Sequence, residues 1–263
     1  MTERSMDTAI SAAPQCFETS YRVRTGDVDQ QKALRLDSVA RYLQDVAYDN
    51  LEAAGFARTD PFWVVRRTVV DVIEPISWPG TVTLQRWCAS LSTRWTNMRV
   101  RITSEHGTNR LNPHERPAGL IETEAFWINV NERGLPTRIS DGGLELLAST
   151  TDEYRLRWQA MNPRTPPSAD SVGAQRDRMH VLRSTDFDPL EHLNNAAYWA
   201  AVEDELVYHP DLTACPHRAV IEYLRPVPPG SEIVVRRRRT QDQLQMLSVD
   251  GGVAATVTVS RGD

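Results

Sequence analysis

Two stretches decide how this sequence is read: Arg24-Thr-Gly-Asp-Val-Asp-Gln-Gln-Lys-Ala-Leu-Arg-Leu36 and Arg183-Ser-Thr-Asp-Phe-Asp-Pro-Leu-Glu-His-Leu-Asn-Asn195. Arg24, Asp27, Asp29, Leu34 and, further on, Asp45 reappear 159 positions later as Arg183, Asp186, Asp188, Leu193 and Asp204. Each stretch stands ahead of a segment with helical spacing. Leu36, Val39, Ala40, Leu43, Val46, Ala47, Leu51 and Ala54 follow the 3.6-residue period of a one-faced helix, and Gly55 is placed to end it. A shorter helix is expected from about Ala196 to Tyr208, with Asn194 or Asn195 suited to cap it.

Most of the remaining order reads as strand. Phe17, Tyr21 and Val23 alternate before the first helix, and Trp63–Ile73, Thr81–Ser90, Arg94–Ser104 and Leu120–Asn131 follow it. After the second helix come Arg218–Leu224, Ser231–Arg239, Gln243–Val249 and Val253–Ser260. Pro79-Gly80, ahead of a strand that reaches Arg86, recurs as Pro229-Gly230 ahead of one that reaches Arg236, at an offset of 150. The order in both halves is strand, helix, four strands, which points to a tandem duplication. The fold class is therefore α+β, two antiparallel sheets each wrapped around a long helix. Met161–Gln175, rich in proline and serine, reads as the connection between the copies, and His106–Gly119 as a long exposed hairpin loop.

Bulk properties exclude several classes. The 263 residues can bury a proper core, and no apolar run approaches the roughly 20 residues of a membrane helix. Met1 to Pro14 lacks the apolar stretch of a signal peptide. Three widely spaced cysteines argue for a reducing, cytoplasmic compartment. A net charge of -5 speaks against nucleic acid as partner. Lys32 is the one lysine among 30 basic residues, which reads as codon bias or as a choice of arginine forks for phosphates and carboxylates. The run Arg236–Arg239 alternates between strand faces, so only about half of it can act together. The histidines show no metal spacing, and no metal or cofactor is expected.

Arg183–Asn195 gathers two carboxylates, a histidine and two asparagines at a helix N-terminus, where free N–H groups can stabilise a carbonyl oxygen as it becomes an oxyanion. A carboxylate there could attack a thioester or activate water, with a histidine sharing the proton transfers. The first copy keeps Asp27 and Asp29 but has Ala33, Arg35 and Leu36 where the second has His192, Asn194 and Asn195.

Asp186-Phe-Asp-Pro-Leu-Glu-His-Leu-Asn-Asn195 resembles the signature Asp-x-Asp-x-Asn-x-His-x-Asn-Asn of the acyl-ACP thioesterases. Leu36–Gly55 is similar to their N-terminal helix, Phe62–Arg67 to their Trp-Val-Val strand, and Ala125–Asn131 to the strand that closes their first hotdog. The resemblance implies a double hotdog with an acyl-binding unit at 14–158, a linker at 159–177 and a catalytic unit at 178–263, after a disordered tail at 1–13. It also implies that Asp188, His192 and Asn194 are catalytic and that Asn195 serves substrate binding, and Glu222 is read as a substitute support in substrate binding. Two departures stand out. The family's asparagine is Leu190 here, and its glutamate and cysteine are Pro226 and Val227. The expected reaction is hydrolysis of an acyl carrier protein or coenzyme A thioester to free fatty acid and thiol. No nucleic acid or membrane partner is expected, and a homodimer remains an option. The rival readings are a hotdog hydratase or dehydratase and a non-catalytic acyl-thioester binder.

Overall fold

The computed structural model describes residues 16–151, 153–165 and 173–262. The expected tail and the middle of the expected linker lie outside them. The first copy runs β1 (Phe17–Arg22), α1 (Leu36–Ala53), β2 (Trp63–Glu74), β3 (Gly80–Leu91), β4 (Trp95–His106) and β5 (Gly119–Asn129), then a short α2 (Asp141–Ala148). The second runs β6 (Ala174–His180), α3 (Asn195–Leu206), β7 (His217–Tyr223), β8 (Ile233–Arg239), β9 (Gln243–Val249) and β10 (Val253–Arg261). β6 opens at Ala174, inside the stretch expected as linker.

The duplicated units do not stay separate. Their strands form one ten-stranded antiparallel sheet in the order β1-β3-β4-β5-β2-β7-β10-β9-β8-β6, so equivalent strands are met in the same order from either edge. The halves join where β2 pairs with β7. That seam keeps the symmetry of the duplication: Arg67 faces Glu222 and Asp71 faces Arg218 on either side of the Val69–Val220 pair. Arg218 grips Asp71 with two parallel bonds of 2.6 and 2.8 Å, the fork geometry that arginine supplies and lysine cannot.

Both long helices cover one face of the sheet. α1 buries Leu36, Val39, Ala40 and Val46 of the stripe that its spacing predicts, and Tyr42 beside them. α3 buries Trp199 completely, and the indole N–H donates to the Tyr223 hydroxyl at 3.0 Å, so this aromatic meets its one polar requirement inside the core.

The opposite face carries the connection between the copies. Trp158 packs edge-on against Phe126, with ring centroids 5.0 Å apart, and the Arg67 guanidinium lies 5.2 Å from the Trp158 ring. Arg67 donates to the Gln159 carbonyl, and the Met161 N–H donates to Glu222. Asn162 donates to the carbonyls of Val220 and Thr256, stitching β7 to β10. This connection is a strap bonded across the seam, although its composition reads as a free linker.

α2 has no counterpart in the sequence reading, because Gly142-Gly143 argues against a helix there. Its start is fixed by Ser140, whose hydroxyl accepts the Gly143 N–H, while Ser140 itself donates to Asp60. Gly143 is required by space: a Cβ there would lie 2.7 Å from both the Asp60 carboxylate and the Phe56 ring.

Asn162→Ala removes both stitches from the buried strap. It is expected to lower unfolding stability by about 1–2 kcal/mol, read as a fall in the urea midpoint at unchanged slope.

Candidate active site

The loop from Arg183 to Asn194 is built from the backbone outward. Asp186 accepts the Arg183 N–H at 2.8 Å and its guanidinium at 3.0 and 2.6 Å. Burial works to raise the Asp186 pKa, but the Arg183 bonds outweigh it and hold the carboxyl below its ordinary value. Two residues on, Asp188 Oδ1 accepts the N–H groups of Leu190 and His192 at 2.9 and 3.2 Å, and Glu191 takes a left-handed φ of 57° to close the turn. Asn194 then caps α3, its Oδ1 accepting the Ala196 N–H at 2.9 Å.

The first copy folds its loop the same way. Asp27 accepts the Arg24 N–H, Asp29 accepts the Ala33 N–H, and Lys32 takes the left-handed position at 67°. The repeated residues Arg24, Asp27, Asp29 and Leu34 are thus the ones that shape this turn.

A cavity of about 610 Å³ opens beside the second loop. Asp188, Asn194 and Asn195 line one end of it. The rest is contributed by the first copy: Gln44, Asn50, Leu51 and Ala54 from α1, Trp63, Arg86, Cys88, Met98 and Trp127 from the sheet, and Leu147 from α2. Three of the expected site residues therefore converge on one chamber, and two do not. His192 is exposed and is not part of the lining, because the turn that aims Asp188 inward leaves Leu193 as the neighbour that enters the core. Glu222 is fully buried on the strap side of the seam, where its Oε1 accepts the Met161 N–H at 2.8 Å. Glu222, expected at the substrate, is not among the lining residues of the chamber and anchors the strap.

The two helices also serve each other. Gln44 of α1 donates to Asn194 Oδ1 at 3.0 Å and accepts from Asn194 Nδ2 at 3.4 Å, bracing the cap of α3. Glu203 of α3 occupies the equivalent position, 159 residues later, and its carboxyl accepts the Leu36 and Asp37 N–H groups at 2.6 and 3.4 Å. The start of α1 is thereby filled by a side chain. At the start of α3 the Asn195 N–H has no acceptor among the described residues, and the Asn195 side chain lines the cavity.

Two family models match the chain, the acyl-ACP thioesterase N-terminal domain over residues 14–141 and its C-terminal domain over 170–257. The chain belongs to the acyl-ACP thioesterase family. It is 40% identical over 252 residues to an uncharacterized protein of Mycobacterium tuberculosis, covering 94% of each chain. It is 23% identical to the chloroplastic oleoyl-acyl carrier protein thioesterase of Coriandrum sativum, over 79% of this chain and 62% of that one. Its fold is that of an acyl-ACP thioesterase from Bacteroides thetaiotaomicron (TM-score 0.70, 14% identity, 93% and 97% coverage) and of the 12:0-ACP thioesterase from Umbellularia californica (TM-score 0.66, 18% identity, 93% and 96% coverage). These matches bear out the double hotdog and the reading of the chain as a thioester hydrolase.

Within this thioesterase, sequence reasoning missed Gln44, Arg86 and Glu203. The 159-residue offset, continued along both helices, pairs Gln44 with Glu203 and carried the signal for two of them. Among the described residues no group of three or more His, Cys, Asp or Glu could hold a metal ion, and no helix is long and apolar enough to cross a membrane.

Glu203 gives the protein a pH signature. Burial, and then the negative charge of Asp37, push its carboxyl up to about 8 from an ordinary 4.5. Asp37 is also desolvated, but Arg35 and Arg41 keep its pKa low, so the proton belongs to Glu203. The folded chain binds this proton more tightly than the unfolded one. The stability it contributes is complete below the ordinary carboxylate range and is lost as pH rises through about 8. Urea unfolding between pH 5 and 9 should show that decline in the wild type and a flatter profile in Glu203→Gln.

Proposed function

We propose that this chain hydrolyses fatty-acyl thioesters of acyl carrier protein or coenzyme A, with Asp188 as general base. The observation that carries the reading is that Asp188, Asn194 and Asn195 share one cavity with the apolar side chains of the first copy. The acyl chain lies along α1 towards Trp63, Trp127 and Leu147. The thioester carbonyl sits at the first turn of α3, where the unpaired Asn195 N–H and the partial positive charge of the helix start favour an oxyanion.

Asp188 Oδ1 is committed to two backbone N–H groups, which leaves Oδ2 for the reaction. It takes a proton from water as the water oxygen bonds to the thioester carbon. The tetrahedral oxyanion collapses, the C–S bond breaks, and the departing sulfur receives the proton from Asp188. Fatty acid and free thiol are the products. Asn194, held by Gln44, keeps α3 and its N–H in place. His192 stands at the surface in this arrangement, so its part in proton transfer is smaller than that of Asp188.

Asp188→Asn is expected to lower kcat/KM for acyl-ACP or acyl-CoA by about 100-fold or more while acyl-thioester binding persists, and His192→Ala to cost less. Thiol release gives the rates and calorimetry the binding. Undiminished turnover in Asp188→Asn removes Asp188 from the mechanism. Tight binding by wild type with no thiol release, whatever the chain length, would mean a binder rather than a hydrolase, and a change in enoyl absorbance would mean a lyase.

A further inference from the structure

The cavity that takes the acyl chain contains a cation that the proposed hydrolysis does not use. Arg86 projects from β3 into the chamber, where Trp127, Met98, Cys88 and Asn195 are its fellow lining residues. Its guanidinium donates to Asn50 Oδ1, a neutral acceptor, and no carboxylate pairs with it among the described residues. Other strand arginines here are matched: Arg218 with Asp71, Arg237 with Glu205, Arg239 with Asp211.

The surroundings do not supply the missing charge. Partial burial pushes the Arg86 pKa down to about 10, and the side chain stays protonated near neutral pH. The nearby Cys88 thiol is pushed up to about 12, again by burial, so it cannot act as a counter-ion. Arg86 is half-buried in the chamber wall, and a cation there with one amide oxygen and no carboxylate is open to a ligand oxygen. Arg86 has four N–H donors beyond the one given to Asn50.

Its place along the chamber says which part of the ligand it meets. Gln44, at the α3 cap, and Asn50, at the guanidinium, lie six positions apart on α1, about 9 Å along the axis. Beyond Asn50 the lining turns apolar, with Leu51, Ala54, Phe56 and Trp63. The guanidinium, bonded to Asn50, is thereby offset along α1 from the braced cap of α3, with apolar lining beyond it.

We propose that Arg86 is a specificity residue that selects acyl thioesters whose chain carries an oxygen substituent several carbons from the thioester, over chains made of methylenes alone. The inference rests on the proposed use of this cavity for the acyl chain. A hydroxyl, keto or carboxylate oxygen would each accept from the guanidinium, and the carboxylate would also neutralise it.

The test compares kcat/KM for acyl-CoA substrates of equal chain length: unsubstituted, mid-chain hydroxy, mid-chain keto and ω-carboxyl. Wild type should favour at least one oxygenated arm by about tenfold or more. Arg86→Met, which keeps the length and removes the donors, should lose that preference and gain on the unsubstituted chain. Equal wild-type rates for all arms overturn the proposal without need of the variant. A uniform fall in every arm for Arg86→Met, with the preference intact, overturns it as well. If the wild type releases no thiol from any arm, binding of the matching free acids is read from tryptophan fluorescence. Arg86-dependent preference for oxygenated acids then upholds the selectivity while the hydrolytic reading fails, and absence of that preference overturns it.

Discussion

Where α1 lies against α3, each helix offers one polar side chain to the open first turn of the other, and the site depends on the difference between those two side chains. Glu203 reaches the Leu36 and Asp37 N–H groups and fills the start of α1. Gln44 reaches only the Asn194 carboxamide, bracing the cap of α3 without covering the Asn195 N–H beyond it. A helix start that already holds a carboxyl has little left for an oxyanion, whereas one that is braced and uncovered is free to accept it. The loops before the two helices bend alike, so loop shape alone does not decide which copy carries the chemistry.

The sheet makes that arrangement rigid. β2 and β7 pair directly, the Arg218–Asp71 fork clamps the seam, and the strap from Trp158 to Asn162 is bonded across its far side. Neither half can shift against the other without breaking backbone ladders and buried side-chain bonds together. The cavity lies on the helix side of this layer, with its polar end from one copy and its apolar walls from the other. Asp188, Asn194 and Asn195 thus meet a chamber walled mainly by the other half of the molecule.

Much of this was legible in the residues. The repeat Arg24/Arg183, Asp27/Asp186, Asp29/Asp188 and Leu34/Leu193 marked the turn-forming positions, and all four pairs occupy equivalent places in the two loops. The stripe on α1 and the strands were readable because amphipathic spacing is a local property. What could not be read depends on neighbours far away in sequence. α2 is held by Asp60 and Phe56, which no local pattern shows beside Gly142-Gly143. Glu222 looks like a polar strand residue until the strap covers it. His192 and Asp188 sit four residues apart, but a left-handed Glu191 between them sends only the carboxylate inward. Arg86 is one arginine among many, and its place in the cavity wall without an acidic partner, which no local pattern shows, sets it apart.

The mirror order of the ten strands has one further consequence. Two identical subunits joined through β2 and β7 would carry every residue twice, so the position held here by Gln44 and Glu203 would have to be the same on both sides of the axis. Linking the halves in one polypeptide removes that obligation. Each side can then change alone, and a structure with twofold architecture needs only one reactive centre and one compartment for the chain it cleaves.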